Sequence, residues 1–262
     1  MSIKLKNVNL SYDDQQILKD ITTEFLPKKI HVLLGPSGGG KSSLLRLLNA
    51  LTDPNSGEIS YNNLIYSDTH PKEIRKKIGM VFQKPALFDG TVYDNLIWSL
   101  KVRKKGRHCG LDPQPERSEA RRSQSPNSKG IPAFAGMTLE EHLLQLDIPL
   151  DYLDKNIENL SVGEQQRICI ARTLLANPDV ILFDEPTSAL DPQRAKKVLD
   201  LIKQINTQYQ KTIVLVSHDV DTAIDVADTI TFLHDGQLIF RGTKDEFLNS
   251  DNEILTNFRH GK

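Results

Sequence analysis

The sequence predicts an α/β fold with a mainly parallel sheet, on three observations. Ile30 to Leu34 is an apolar run that leads into a glycine-rich loop and then into a helical pattern. Val180 to Phe183 and Thr212 to Val216 are continuous apolar runs of the kind that fill strands covered on both faces. Both runs stop at polar side chains, Asp184-Glu185 and Ser217-His218-Asp219. The carboxyl ends of such strands are where open α/β sheets take their ligands.

The chain opens with Ile3, Leu5, Val8 and Leu10, which mark a strand, and with Ser11-Tyr12-Asp13-Asp14 after it. Gln16 to Phe25 reads as a second strand region and Pro27-Lys28-Lys29 as the turn before Ile30. Taken locally, Tyr12 is an exposed loop aromatic, although such a ring can also stack on a base. The loop Gly35-Pro36-Ser37-Gly38-Gly39-Gly40-Lys41-Ser42 has a glycine, four residues, and then Gly-Lys-Ser, which is the phosphate-loop pattern. Glycines let the backbone curl so that successive N–H groups point at phosphate oxygens. Lys41 can then bridge the outer phosphates and the Ser42 hydroxyl can ligate Mg²⁺. Ser43 to Leu51 reads as a helix with Leu44, Leu45, Leu47, Leu48 and Leu51 inward, and its dipole favours negative charge at its start.

Pro54-Asn55-Ser56-Gly57 is a turn, Glu58 to Tyr66 is strand-like around an Asn62-Asn63 turn, and Pro71 to Lys77 is a short basic helix. Ile78 to Phe82 is a buried strand that ends at Gln83, by itself an ordinary strand-end polar residue. Pro85, Leu87 and Phe88 form an apolar loop, and Thr91 to Val102 an amphipathic helix with the only tryptophan, Trp98. Gly106 to Thr138 is rich in Pro, Ser, Arg and Gly and has no sustained apolar period, as expected of a flexible, solvated insertion. Its stretch Gly130 to Thr138 resembles the translation of a bacterial palindromic repeat element.

Leu139 to Leu146 is helical again. In Leu160-Ser161-Val162-Gly163-Glu164-Gln165-Gln166-Arg167, Ser161 is a helix cap and Glu164 completes a capping box. This is either a well-capped core helix, ended by Asn177-Pro178, or an exposed helix start able to hold an anion. Asp184 and Glu185 divide naturally, in a chain with a phosphate loop, into a carboxylate that holds Mg²⁺ and one that orients or deprotonates water. Ser188-Ala189-Leu190-Asp191-Pro192 is a turn before a long helix to about Tyr209. His218 ends a parallel-type strand, within reach of a terminal phosphate. Thr222 to Ala227 is a helix, Asp235-Gly236 marks a hairpin, Lys244 to Asn249 is a closing helix, and 251–262 is a polar tail.

Composition sets bounds on this reading. The chain has 262 residues with 38% hydrophobic content, enough for a sizeable core in one domain. A formal net charge of -1 gives no general attraction to nucleic acid or anionic lipid, and no nucleic-acid partner is expected. No apolar run approaches the roughly 18 residues that span a bilayer, and the start of the chain lacks a signal-peptide core. The two cysteines, Cys109 and Cys169, have no metal or framework spacing.

In this order, the pieces resemble the ATP-binding cassette (ABC) ATPase of membrane transporters. The resemblance rests on Gly35 to Ser42, Gln83, Leu160-Ser161-Val162-Gly163-Glu164, Val180 to Glu185, Ser188-Ala189-Leu190-Asp191 and His218, and covers nearly the whole chain outside the insertion. Val162 stands where the family usually has glycine. The resemblance implies a P-loop NTPase core with an N-terminal antiparallel β subdomain (together 1–83 and 178–250) and a helical signature subdomain (84–177).

The resemblance also implies residue roles. Tyr12 would stack on adenine. Gly35, Pro36, Ser37, Gly38, Gly39, Gly40, Lys41, Ser42 and Ser43 would cradle the phosphates of ATP. Ser42, Gln83 and Asp184 would hold Mg²⁺, Glu185 would be the general base, and His218 would contact the γ-phosphate. Ser161, Gly163 and Glu164 would close over ATP held by another copy, with Asp191 at the same seam. The implied partners are a second ATPase copy and a separate transmembrane permease, which would place the chain on the cytoplasmic face of the membrane. For cargo, Phe82 to Asn95 is similar to a subgroup linked to iron or metal-resistance export, while Ser161 to Arg172 and Pro186 to Asp191 are close to phosphate-import ATPases. The expectation leans to export, with import of phosphate or another small solute as the alternative and a non-transport cassette ATPase after that.

Overall fold

The computed structural model describes residues 2–105, 139–188, 190–218 and 220–260. The expectations for Gly106 to Thr138, including Cys109, lie outside the described residues. The chain forms two compact units, residues 1–84 with 178–262, and residues 85–177.

The first unit begins with strands β1 (Ile3–Tyr12) and β2 (Gln15–Phe25), then β3 (Ile30–Leu34) and, after the glycine loop, helix α1 (Lys41–Leu48). Strands β4 (Ser56–Tyr61) and β5 (Leu64–Ile65), helix α2 (Pro71–Lys77) and strand β6 (Ile78–Val81) follow. The second unit carries α3 (Val92–Lys105), α4 (Leu139–Gln145) and α5 (Val162–Leu175). The chain then returns to the first unit through β7 (Val180–Asp184), α6 (Pro192–Tyr209), β8 (Thr212–Val216) and α7 (Val220–Ile224), and closes with β9 (Thr229–His234), β10 (Gln237–Gly242), α8 (Lys244–Leu248) and α9 (Glu253–Arg259).

A four-stranded sheet has the order β2-β1-β4-β5, all antiparallel. A six-stranded sheet has the order β10-β9-β3-β8-β7-β6, parallel except for the β9–β10 hairpin that the Asp235-Gly236 turn produces. Every residue of β3, β7 and β8 is buried, as their unbroken apolar runs require. The β1 alternation breaks at Asn7, which takes a left-handed φ of 50° opposite Asp20 at the same φ. The Asn7 amide donates to Asp20 Oδ1 at 2.8 Å and pins the register shift. Leu44, Leu45, Leu47 and Leu48 of α1 share one core with Ile3, Leu5, Leu10 and Phe25 of the antiparallel sheet and with Val180, Leu182, Val214 and Val216 of the parallel one. Each such side chain contributes about 1.5–3 kcal/mol of burial.

Some expectations fail here, among them the helix placed at Thr222 to Ala227, which is α7 and stops at Ile224. Helix α1 stops at Leu48, because Asn49 ends it and Ala50 adopts φ 51°, so Leu51 is exposed rather than inward. The stretch 251–262 is not simply a polar tail. Asn252 caps α9, Leu255 is fully buried, and Phe258 meets Phe232 edge-on at 4.8 Å. Arg259 fastens the end by donating to the carbonyls of Phe247, Leu248 and Ser250. Among residues 251–260 most polar side chains are exposed while Leu255 and Phe258 dock, too few to register as a period.

In the second unit, Asn95 is fully buried on α3 and ties the preceding loop, accepting from the Phe88 N–H at 3.2 Å and donating to the carbonyls of Phe88 and Thr91. Trp98 is partly exposed and packs edge-on against Phe88 at 5.8 Å. Cys169 is buried on α5 as a free thiol, and burial pushes its pKa up. No helix among the described residues is long and apolar enough to cross a membrane.

Candidate active site

Strand β3 delivers the loop 35–40 from a rigid, buried lead. A Cβ on Gly35 would fall 2.0 Å from the Leu233 carbonyl oxygen, so only glycine lets the loop leave the sheet beside β9. Gly40 has φ +93°, and a Cβ there would lie 2.7 Å from Leu18 Cδ2. The Gly39 N–H donates to the Pro36 carbonyl at 3.1 Å and closes the curl, while Ser37 and Gly38 stay exposed at its rim. No side chain caps α1, so the amides of its first turn have no side-chain partner at the cap.

Lys41 is 6% exposed, and its Nζ donates to the carbonyls of Gly35 at 2.9 Å and Pro36 at 2.8 Å. Burial pushes its pKa down, against the opposing pull of Glu185 and Asp184. A buried cation held only by neutral oxygens favours an incoming anion. Ser42, the next residue, donates to Asp184 Oδ1 at 2.8 Å, and half-buried Ser43 completes the first turn. Asp184 ends β7 and is nearly buried. Burial raises its pKa, and the Ser42 hydrogen bond works against that.

Glu185 leaves β7 with φ +46°, its N–H donating to the Val216 carbonyl at 3.1 Å. Gln83, just past β6, donates from Nε2 to Glu185 Oε2 at 3.0 Å and to Ser188 Oγ at 3.1 Å. His218 Nδ1 stands 3.5 Å from the same Glu185 oxygen. The structure thus brings Lys41, Ser42, Gln83, Asp184, Glu185 and His218 together at the carboxyl ends of the parallel strands. Tyr12 is the last residue of β1 and its ring is exposed. A buried cation, a hydroxyl–carboxylate pair and a second carboxylate oriented by amide and imidazole can bind polyanionic phosphate with a hard cation and direct a water.

In the other unit, Ser161 caps α5 in a full capping box with Glu164. The Ser161 N–H and Oγ both donate to Glu164 Oε2, at 2.7 and 2.6 Å, and the Tyr152 hydroxyl donates to Oε1 at 2.7 Å. The Ser161 and Tyr152 hydrogen bonds hold the Glu164 carboxyl down at about 2. Gly163 is half-buried in the same first turn, and Val162 is exposed. Gln165 donates to the carbonyls of Ile157 and Leu160, fastening the approach. Asp191 is spent as the cap of α6, accepting from the Arg194 N–H at 3.0 Å.

Sequence reasoning left out Tyr152 and gave Ser188, though part of a quoted motif, no role of its own. Tyr152 sits in a separate 3-10 turn, and no local signal ties it to Glu164. Ser188 lay in view, since a hydroxyl three residues after Glu185 can close a turn on its carbonyl.

The sequence profile of the ABC transporter family matches residues 18–188. The phosphate import ATP-binding protein PstB 2 of Ligilactobacillus salivarius is 38% identical over 268 residues, covering 99% of this chain and 98% of the relative. The protein of the same name from Lactobacillus johnsonii is 36% identical, with 99% and 98% covered. Among solved structures, a dimeric ATP-binding cassette in a post-hydrolysis state, bound to ADP and Pi, is 29% identical with a TM-score of 0.69, covering 92% of this chain and 98% of that one. These names correct the weight given above to cargo: they fit the import alternative better than the metal-export reading drawn from Phe82 to Asn95. With glycine loop, paired strand-end carboxylates and capped helix start all in place, the chain belongs to the ABC transporter family, as an ATP-binding and ATP-hydrolysing subunit.

Proposed function

We propose that this chain binds ATP with Mg²⁺ in the loop 35–42 and, as one of two facing copies, drives a separate membrane permease that imports a small solute, with inorganic phosphate as the cargo. The observation that carries the reading is the Lys41 amine in the same field as Asp184 and Glu185, whose partners are Ser42 on one side and Gln83 and His218 on the other. The fit to the cation rests on the donor set: a nearly buried carboxylate already paired with a hydroxyl, and an amide alongside. Ser42, Asp184 and Gln83 would hold Mg²⁺, which when bound neutralises charge on the outer phosphates.

The chain's own residues supply the rest. The loop amides and Lys41 orient the triphosphate, Tyr12 covers the base, and His218 donates toward the terminal phosphate. Glu185 takes a proton from the water that attacks in line, and in-line displacement yields ADP and phosphate. Ser161 and Gly163, with Glu164 behind them, meet the triphosphate held by the second copy. The dimeric state of the 29%-identical cassette supports this arrangement. ATP then becomes part of the seam, and its cleavage loosens the pair. The names of the relatives at 38% and 36% identity support phosphate as cargo. Attachment to a permease would hold the chain at the cytoplasmic membrane face.

Glu185→Gln tests the chemistry. The variant keeps ATP affinity, loses about a hundredfold or more of kcat, and accumulates an ATP-bound dimer on gel filtration. Wild-type turnover would remove Glu185 as base. For cargo, the chain copurified with its permease and reconstituted in vesicles takes up labelled phosphate with ATP. Transport of iron or manganese instead of phosphate would overturn the cargo.

A further inference from the structure

We infer that Ser188 is a positioning residue for ATP hydrolysis, acting through Glu185 and Gln83. The inference rests on the reading of Glu185 as the base.

Glu185 holds φ +46°, a left-handed conformation uncommon for a glutamate and costly enough to need fixing at both ends. Its N–H is fixed by the Val216 carbonyl. Its own carbonyl is fixed by Ser188 alone among the bonds described, twice over: the Ser188 N–H donates to it at 3.2 Å and the Ser188 hydroxyl at 3.1 Å. The backbone twist that aims the Glu185 side chain is therefore held from both ends, and Ser188 is one of those ends.

The same hydroxyl has a second task. Having given its one proton to the Glu185 carbonyl, it accepts from Gln83 Nε2 at 3.1 Å. The other hydrogen of that amide goes to Glu185 Oε2 at 3.0 Å. Both amide hydrogens are thus used, and the orientation of the Gln83 amide is set by a closed ring of three residues: Gln83 to Ser188, Ser188 to the Glu185 carbonyl, and Gln83 to the Glu185 carboxylate. Removing the hydroxyl opens the ring at two of its bonds. The carboxylate then keeps its charge but loses part of what directs it. Losing one or two neutral hydrogen bonds that act on geometry lowers kcat by about threefold to tenfold.

Ser188→Ala in the full chain tests this. The expected result is a kcat about threefold to tenfold lower, with the KM for ATP and the affinity for a fluorescent ATP analogue within about twofold of wild type. Ser188→Thr, which keeps the hydroxyl, restores at least half of the lost rate. Made on top of Glu185→Gln, Ser188→Ala lowers the residual rate no further, because there is no longer a base to direct. A wild-type kcat in Ser188→Ala, or an equal loss in the Glu185→Gln background, overturns the positioning role. If Glu185→Gln alone turns over normally, the reading of the base fails, and that outcome is distinct from a silent Ser188→Ala.

Discussion

Helices α1 and α5 both begin at positions assigned to phosphate, yet their first turns are built in opposite ways. Helix α1 starts from Gly40, which offers no side chain as a cap, and its Lys41 is drawn back onto the carbonyls of Gly35 and Pro36. Helix α5 starts from Ser161 with the Glu164 carboxylate reaching back to the Ser161 N–H and hydroxyl, and Tyr152 holds that carboxylate in place. The first helix start has no side-chain acceptor at its cap, as the proposed phosphate site requires. The second carries its own Glu164 carboxylate, bonded to the Ser161 N–H and hydroxyl behind the face proposed to meet a phosphate. The pattern of hydrogen bonds, more than the presence of a helix dipole, separates the two.

The largest test of that contrast is Lys41→Ala. It should lower ATP affinity about tenfold to a hundredfold in a titration, since charged hydrogen bonds to phosphate are lost. Unchanged affinity would mean that the open helix start is not the anion site. Gly40→Ala comes next. It forces a Cβ into a left-handed position against Leu18, so urea unfolding should shift by about 1–2 kcal/mol, with weaker nucleotide binding alongside. On the other helix, Ser161→Ala should cost about 1 kcal/mol of stability in the same assay, a loss for which α1 has no counterpart because it carries no capping side chain.

The smallest effects are in pH, and both raise stability as pH rises, one in the acid range and one in the alkaline. The Glu164 carboxyl is depressed from 4.5 to about 2, so its contribution is complete above 4.5 and is lost only as pH falls toward 2. Lys41 is buried with its pKa lowered from 10.5, so the unfolded chain binds that proton more tightly. Stability therefore rises slightly with pH in the alkaline range below 10.5, and the rise disappears in Lys41→Met or when ATP is added. Urea midpoints across pH check both.

Much of the site was legible because its signals are local. Strands β3, β7 and β8 are buried on both faces and announce themselves as unbroken apolar runs, and the polar residues that end them follow directly in sequence. The capping box spans one helical turn, and so could be read from Ser161 and Glu164 alone. The rest depends on contacts between distant segments. Tyr152 reaches Glu164 from another turn, and Gln83 reaches Ser188 from another strand. The early stop of α1 depends on the left-handed Ala50, a residue with no intrinsic preference for that conformation. Helix α9 was missed because its stability comes from Leu255, Phe258 and the Arg259 clamp, not from a periodic face. The lean on cargo shifted toward import for a different reason: in the proposed function no residue of this chain touches the solute.

Strands β6 and β7 are hydrogen-bonded neighbours, Ile78 beside Val180 and Val81 beside Phe183, although the whole of 85–177 lies between them in sequence. The excursion leaves and re-enters the sheet at one place, so a flexible insertion within it adds little to closure: doubling the length of a flexible loop costs only about 0.6 kcal/mol. Genetic material can accumulate or be trimmed between these strands while the catalytic edge keeps its alignment, which lets one motor acquire new couplings without rebuilding its engine.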